Sequence, residues 1–185
     1  RNSSSLETRI DDCIFTNNTA NESGDGGGIF NFYSNLELIN TTFIGNSAEV
    51  SGAGICNYES AATLTGCKFE NNTANSNGGG MSNVFSSSPT LTDCEFTNNT
   101  ATNGGGMYNY NGSDSVLTTC TFENNTAKIG GGMYNDYYSD PTLNTCTFTS
   151  NSADEYGAGM YNYDSSFTLT DCIFTSNSAD ERAGG

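Results

Sequence analysis

The pattern Cys-x-Phe-x-x-Asn-[Ser/Thr]-Ala returns seven times along the chain, with Thr41 in the place of the cysteine in the second copy. Its phenylalanines, Phe15, Phe43, Phe69, Phe96, Phe122, Phe148 and Phe174, fall 28, 26, 27, 26, 26 and 26 residues apart. A second string, Gly-[Gly/Ala]-Gly-[Met/Ile]-x-Asn, starts at Gly26, Gly52, Gly78, Gly104, Gly130 and Gly157 with the same period. Two markers sharing one period make each unit a supersecondary element that can bury its apolar face only against its neighbours. The expectation is one repeat domain over residues 1–185 without a linker.

Helical repeats need apolar residues at 3.6-residue spacing and good helix formers. These units are rich in Gly, Asn and Thr and alternate with period two, which excludes helix. Each unit reads as three short strands: Met-x-Asn after the glycines, then a segment centred on a leucine (Ile10 in the first copy, then Leu38, Leu64, Leu91, Leu117, Leu143 and Leu169), then Cys-x-Phe. Leucine and cysteine are three residues apart, as in Leu91 and Cys94, so both face inward only if the chain turns between them. The residue at that corner is Asp12, Asn40, Gly66, Asp93, Thr119, Thr145 or Asp171, mostly turn formers. The repeat Asn tolerates the left-handed backbone a second corner requires, and the glycine triplet allows a third. The predicted fold is all-β: a right-handed parallel β-helix, or β-solenoid, of about seven coils of 26–28 residues with three short strands per coil. Length varies only before the glycines and before the leucine, so insertions collect on two outward arcs.

The pairing of Gly-Gly-Gly-[Ile/Met] with Phe-x-x-Asn resembles the repeats of the chlamydial polymorphic membrane proteins, whose motifs are GGA[ILV] and FxxN. It is similar too to the right-handed parallel β-helix repeat proteins of environmental bacteria. The likeness runs over essentially the whole chain, although the middle residue of the triplet is Gly or Ala here. It implies a secreted or surface-displayed passenger, often adhesive, and hence an extracellular or cell-surface location. It supplies no catalytic residue to carry over.

Stacking converts each repeated position into a column along the solenoid. Cys13, Cys67, Cys94, Cys120, Cys146 and Cys172 form one such column, expected as stacked free thiols, since strands about 4.8 Å apart hold Cβ atoms beyond disulfide reach. Phe69, Phe96, Phe122, Phe148 and Phe174 continue the aromatic column. Asn72, Asn99, Asn125, Asn151 and Asn177, with Asn18 and Asn46, form an amide ladder bonding coil to coil, and Asn31, Asn57, Asn83, Asn109, Asn135 and Asn162 form a second. Cys56 stands where other coils have Phe30, Tyr108, Tyr134 and Tyr161, a column read as outward, which would make it an exposed, reactive thiol.

Charge narrows the function classes. The chain carries 21 Asp+Glu against 5 Lys+Arg, a formal net charge of −16, and no His. Nucleic acid is excluded as a partner, because neutralising phosphates takes clustered cations. No apolar run approaches the roughly 18 residues of a transmembrane span, so no transmembrane segment is expected. A glycan-processing β-helix would place two carboxylates about 5 to 9.5 Å apart; Glu70, Glu95 and Glu123 are the candidates, but Lys68 beside them reads as ordinary cross-strand pairing. The chain therefore reads as non-catalytic. No cofactor is expected, with weak calcium binding open at Asp136 with Asp140 or at Asp154 with Glu155.

One outward surface is unusually regular. Beside the inward leucines stand Thr63 and Thr65, Thr90 and Thr92, Thr118, Thr142, and Thr168 and Thr170, two files interrupted by Val116 and Asn144. The array resembles the Thr-x-Thr faces of ice-binding solenoids, so ice binding through these threonines is the alternative to a structural or adhesive module of a surface or extracellular fibre. Partners follow from these readings: a host-surface glycan or protein, ice, or further copies of the chain. Ala183-Gly184-Gly185 aligns with Gly157-Ala158-Gly159, and Arg1 falls at an inward Met position. The sequence is accordingly either an excerpt of a longer array or a subunit that stacks head to tail into a filament.

Overall fold

The computed structural model describes residues 8–181, and within them the chain winds as a parallel solenoid of seven coils without helix. The coils build four sheets rather than three, three of seven strands and one of six. The first, here the Leu sheet, stacks Thr8–Asp11, Leu36–Ile39, Ala62–Thr65, Thr90–Thr92, Val116–Thr118, Thr142–Asn144 and Thr168–Thr170. The Phe sheet stacks the seven strands from Ile14–Thr16 to Ile173–Thr175, and the Met sheet the six from Ile29–Phe32 to Met160–Tyr163. The sheet missing from the sequence reading, the Ala sheet, runs from Thr19–Ala20 to Ser178–Ala179 and follows the repeat Asn. Four of its seven strands have only two residues, too short for an alternating pattern to reveal.

Register is strict. Phe69 pairs with Phe43 and Phe96, and Leu91 with Leu64 and Leu117. The inward rings from Phe15 to Phe174 stack at 4.6–4.9 Å between centroids with planes 1–9° apart. Inward leucines, methionines, phenylalanines and cysteines make one core running the length of the column. The expected leucine–cysteine corner is present: Asp12, Asn40, Gly66, Asp93, Thr119, Thr145 and Asp171 all have φ between 46 and 62°. The second corner lies one residue earlier than predicted. Asn17, Gly45, Asn71, Asn98, Asn124, Ser150 and Ser176 take the left-handed conformation, which frees the following Asn to point inward. At the third corner the first glycine of each triplet has positive φ, and the last sits against the phenylalanine ring: a Cβ on Gly106 would lie 2.8 Å from Phe122 Cδ1.

Candidate functional site

Every column that the sequence singles out has a definite place. Along the corner leading into the Ala sheet, each Asn side chain donates Nδ2 to Oδ1 of the next at 2.9–3.0 Å, from Asn18 through Asn72, Asn99, Asn125 and Asn151 to Asn177. Each of those Oδ1 atoms also accepts the backbone N–H of the Asn one coil before, as Asn125 does from Asn99. The second ladder, Asn31 to Asn162, links amides at 2.7–3.0 Å inside the Met sheet. Cys67, Cys94, Cys120 and Cys146 are buried free thiols, and Cys172 is half-buried. They sit at the corner just before the Phe sheet, and Cys94, Cys120 and Cys146 donate to the carbonyl two residues back at 3.4 Å. Thr41 fills its gap in the same way, Oγ1 to Ile39 O at 2.9 Å.

Cys56 corrects the sequence reading. Its side chain points out of the Met sheet, yet it is 1% exposed. The tight glycine turn folds back onto that face, and a Cβ built on Gly52 would lie 2.7 Å from the Cys56 Cβ. Burial, with the Asp25 carboxylate nearby, pushes the Cys56 thiol well up, so it is neither exposed nor activated. Tyr108 and Tyr134 of the same column are buried as well.

The acidic candidates are dispersed. Lys68 donates to Glu95 at 2.8 Å across neighbouring strands of the Phe sheet, while Glu70 and Glu123 are separated by Thr97 in the ladder. Glu155 pairs with Lys128 at 2.9 Å. Asp140 accepts from the Ser166 N–H at 2.6 Å and donates its own N–H to Asp114. Among the described residues no three His, Cys, Asp or Glu side chains converge to hold a metal.

The threonines occupy the outer face of the Leu sheet in two in-register files. Thr63, Thr90, Val116, Thr142 and Thr168 make one, and Thr65, Thr92, Thr118, Asn144 and Thr170 the other. Thr92 and Thr118 are half-buried and the rest exposed.

A site absent from the sequence reading borders this face, on the arc between the Met and Leu sheets. Rings from successive coils meet there in a row: Phe30–Phe32 (5.8 Å between centroids), Phe32–Tyr58 (5.3 Å), Tyr58–Phe85 (4.9 Å), Phe85–Tyr110 (5.8 Å), Tyr110–Tyr137 (6.0 Å) and Tyr137–Tyr138 (5.6 Å). Tyr138 is 66%, Tyr137 48% and Phe85 37% exposed although their coils lie within the column. Glu59, Phe85, Ser86 and Asn111 line an open depression among them.

The backbone is strained under three of these rings, Phe85, Tyr137 and Tyr138, while Phe30, Phe32, Tyr58 and Tyr110 stand on regular strands. In three consecutive coils two adjacent residues have positive φ: Phe85 and Ser86, Asn111 and Gly112, Tyr137 and Tyr138. Asn-Gly suits such a tandem left-handed turn, whereas a bulky aromatic side chain rarely enters that region. Tyr33 is held there too. Strain of this kind persists only where the surroundings over-determine it, and it gathers at functional sites.

Here a serine ladder does the fixing. Ser87 Oγ donates to Val84 O, Ser113 Oγ to Tyr110 O and Ser139 Oγ to Asp136 O, all at 2.8 Å, and each hydroxyl accepts a backbone N–H from the preceding coil's serine at 3.0–3.2 Å. The Phe85 and Tyr137 amides continue the inter-coil pairing at 3.1 Å. The rings are therefore presented from a rigid corner. Carboxylates flank them: Tyr33 donates its hydroxyl to Glu59 at 2.7 Å and Tyr108 to Asp136 at 3.0 Å. Burial holds Asp136 above the ordinary carboxylate value, a rise the Tyr108 hydrogen bond partly offsets. In the sequence the signal lay in the two residues after each Asn of the Met sheet, aromatic in most coils.

The expectation resting on Arg1 and on Ala183-Gly184-Gly185 lies outside the described residues. Among the described residues no helix is long and apolar enough to cross a membrane. A family model described as right handed beta helix region matches residues 46–184, and one described as Chlamydia polymorphic membrane protein repeat matches residues 12–31. No curated protein and no solved structure matches the chain.

Proposed function

We propose, for a chain that belongs to the right handed β-helix region family, a role as a non-catalytic adhesive module displayed on a cell surface or in the extracellular medium. The observation that carries this reading is the row of rings from Phe32 to Tyr138 on the flank of the column, of which Phe32, Phe85, Tyr137 and Tyr138 are exposed and the last three are held on left-handed backbone that another coil fills with Asn111-Gly112. The polymorphic membrane protein repeat match supports surface display. Scattered, ion-paired carboxylates favour binding over hydrolysis. Beads coated with the full chain are expected to adhere to glycan-coated or cultured-cell surfaces, and beads carrying Tyr137→Asn with Tyr138→Gly to adhere far less. Wild-type beads that hold no better than uncoated ones overturn the reading, and release of new reducing ends from polysaccharide overturns its non-catalytic part.

The in-register threonine files support a second reading, ice binding through Thr63, Thr65, Thr90, Thr92, Thr118, Thr142, Thr168 and Thr170. Thr92→Tyr and Thr118→Tyr would then abolish thermal hysteresis while leaving the circular dichroism spectrum unchanged. A parent protein without hysteresis removes that reading.

A further inference from the structure

We infer that the aromatic row is a binding track for an extended polysaccharide chain without anionic groups, lying along the solenoid axis with its sugar faces on the rings. The inference rests on the adhesive reading above and names its ligand class.

The spacing comes first. One ring is delivered per coil, Phe32, Phe85 and Tyr137 exposed and Tyr58 and Tyr110 half-buried between them, with centroid steps of 4.9–6.0 Å from Phe32 to Tyr137, comparable to the advance of one pyranose residue along an extended chain. The rings are tilted against one another by 38–85° instead of stacking flush as the inner phenylalanines do, which leaves Phe32, Phe85 and Tyr137 exposed to a ligand. An aromatic face carries negative partial charge and attracts the slightly positive C–H face of a sugar.

The flanking polar groups narrow the ligand further. Glu59, Asp136 and Asp164 follow the row on the Met sheet and its corner, and each carboxylate is an acceptor only. The described cations lie on the other three sheets and are already paired: Arg9 with Asp11 and Glu37, Lys68 with Glu95, Lys128 with Glu155. An anionic chain would meet uncompensated repulsion here. A neutral sugar offers hydroxyl donors to these carboxylates and to the tyrosine oxygens, giving charge-assisted hydrogen bonds. A polyproline segment, the other extended ligand that aromatic surfaces take, has no N–H to offer and would desolvate the carboxylates without adding a donor to the single tyrosine hydroxyl that Glu59 and Asp136 each already accept. The rigid serine-backed corner spares the entropic cost of ordering the rings on binding.

The test uses the full chain with cellohexaose, chitohexaose and mannohexaose as probes. With 10 Tyr and no Trp, tyrosine emission reports binding directly, and calorimetry gives the affinity. At least one probe is expected to bind, and Tyr137→Asn with Tyr138→Gly, which copies the Asn111-Gly112 corner and keeps the fold, is expected to weaken it tenfold or more. Thr92→Tyr on the neighbouring sheet should leave binding unchanged. Affinity should vary less than about twofold as salt rises from about 0.1 to 1 M, because no ion pair is formed. Binding that survives the double variant, equal loss in Thr92→Tyr, or preference for polygalacturonate or a proline-rich peptide would overturn the inference. So would failure of all three probes, and the bead assay then separates the cases: continued adhesion leaves the adhesive reading standing, and lost adhesion removes both.

Discussion

Two aromatic files run along this molecule, the inner from Phe15 to Phe174 and the outer from Phe30 only to Tyr138, and they obey different rules. The inner one, Phe15 to Phe174, is buried through its middle and stacked with planes 1–9° apart, and every coil supplies the same residue. The outer one, Phe30 to Tyr138, mixes Phe and Tyr, tilts its rings by 24–85°, and draws on four different positions of the repeat. Core packing tolerates one shape at one register, because a flat ring must fit between neighbouring rings and against the glycine opposite. Nothing in the core requires the outer rings, whose corner is equally well made by Asn111-Gly112. Uniformity marks the residues that build the column, whereas at Phe85, Tyr137 and Tyr138 bulky rings stand on left-handed backbone that the column itself does not require.

Substitutions at the two files should accordingly have opposite signs. Phe122→Asp is the most damaging: an unpaired charge inside the stack should unfold the neighbouring coils, seen as lost β-structure by circular dichroism and rapid proteolysis. A helical spectrum from the parent protein would break the comparison at its root. Phe122→Ala keeps the fold but should cost about 3–5 kcal/mol in denaturant unfolding. Asn125→Ala removes the acceptor of the Asn99 N–H and Nδ2 and the donor to Phe96 O. At about 1–3 kcal/mol for each buried group left unpaired, a loss of about 3 kcal/mol or more is expected.

At the outer file the sign reverses. Tyr137→Asn with Tyr138→Gly relieves two left-handed bulky residues and should raise stability by about 1 kcal/mol, while a loss of 2 kcal/mol or more on that scale would mean that the outer rings also hold the column together.

The smallest effect is the pH response. Burial raises the Asp25 and Asp136 carboxyls above their ordinary value of 3.8 in the folded state. The folded chain therefore binds protons more readily than the unfolded one, and stability rises as pH falls from neutrality through the range just above that value. Relief of self-repulsion in a chain of net charge −16 acts in the same direction. The melting temperature should climb by a few degrees between neutral pH and about pH 4, and by less in Asp136→Asn; a fall over that interval would contradict the burial of these carboxyls.

Repetition made most of the fold legible. A side chain that recurs every coil must stack on itself, so Phe96, Leu91 and Cys94 could be assigned to inward columns and Asp93 to a corner from spacing alone, while spacing reads Asn99 as a ladder residue but puts it at the corner that Asn98 makes. The Ala sheet escaped because four of its seven strands are only two residues long and carry no period to read. Cys56 was misplaced for a different reason: facing out of a strand and reaching solvent are separate properties, and the Gly52 turn that covers it is a tertiary event. The serine ladder and aromatic row needed the same information. Ser60, Ser87, Ser113 and Ser139 are spaced by the repeat yet sit in a length-variable arc, and only the folded arc shows their hydroxyls meeting the previous coil. Sequence by itself determined the solenoid, its register and its inner columns, because identical residues at one period can be buried in only one way. Tertiary structure decided which outward residues stay exposed and which corners are strained, because those depend on how non-repeating arcs fold back over the column.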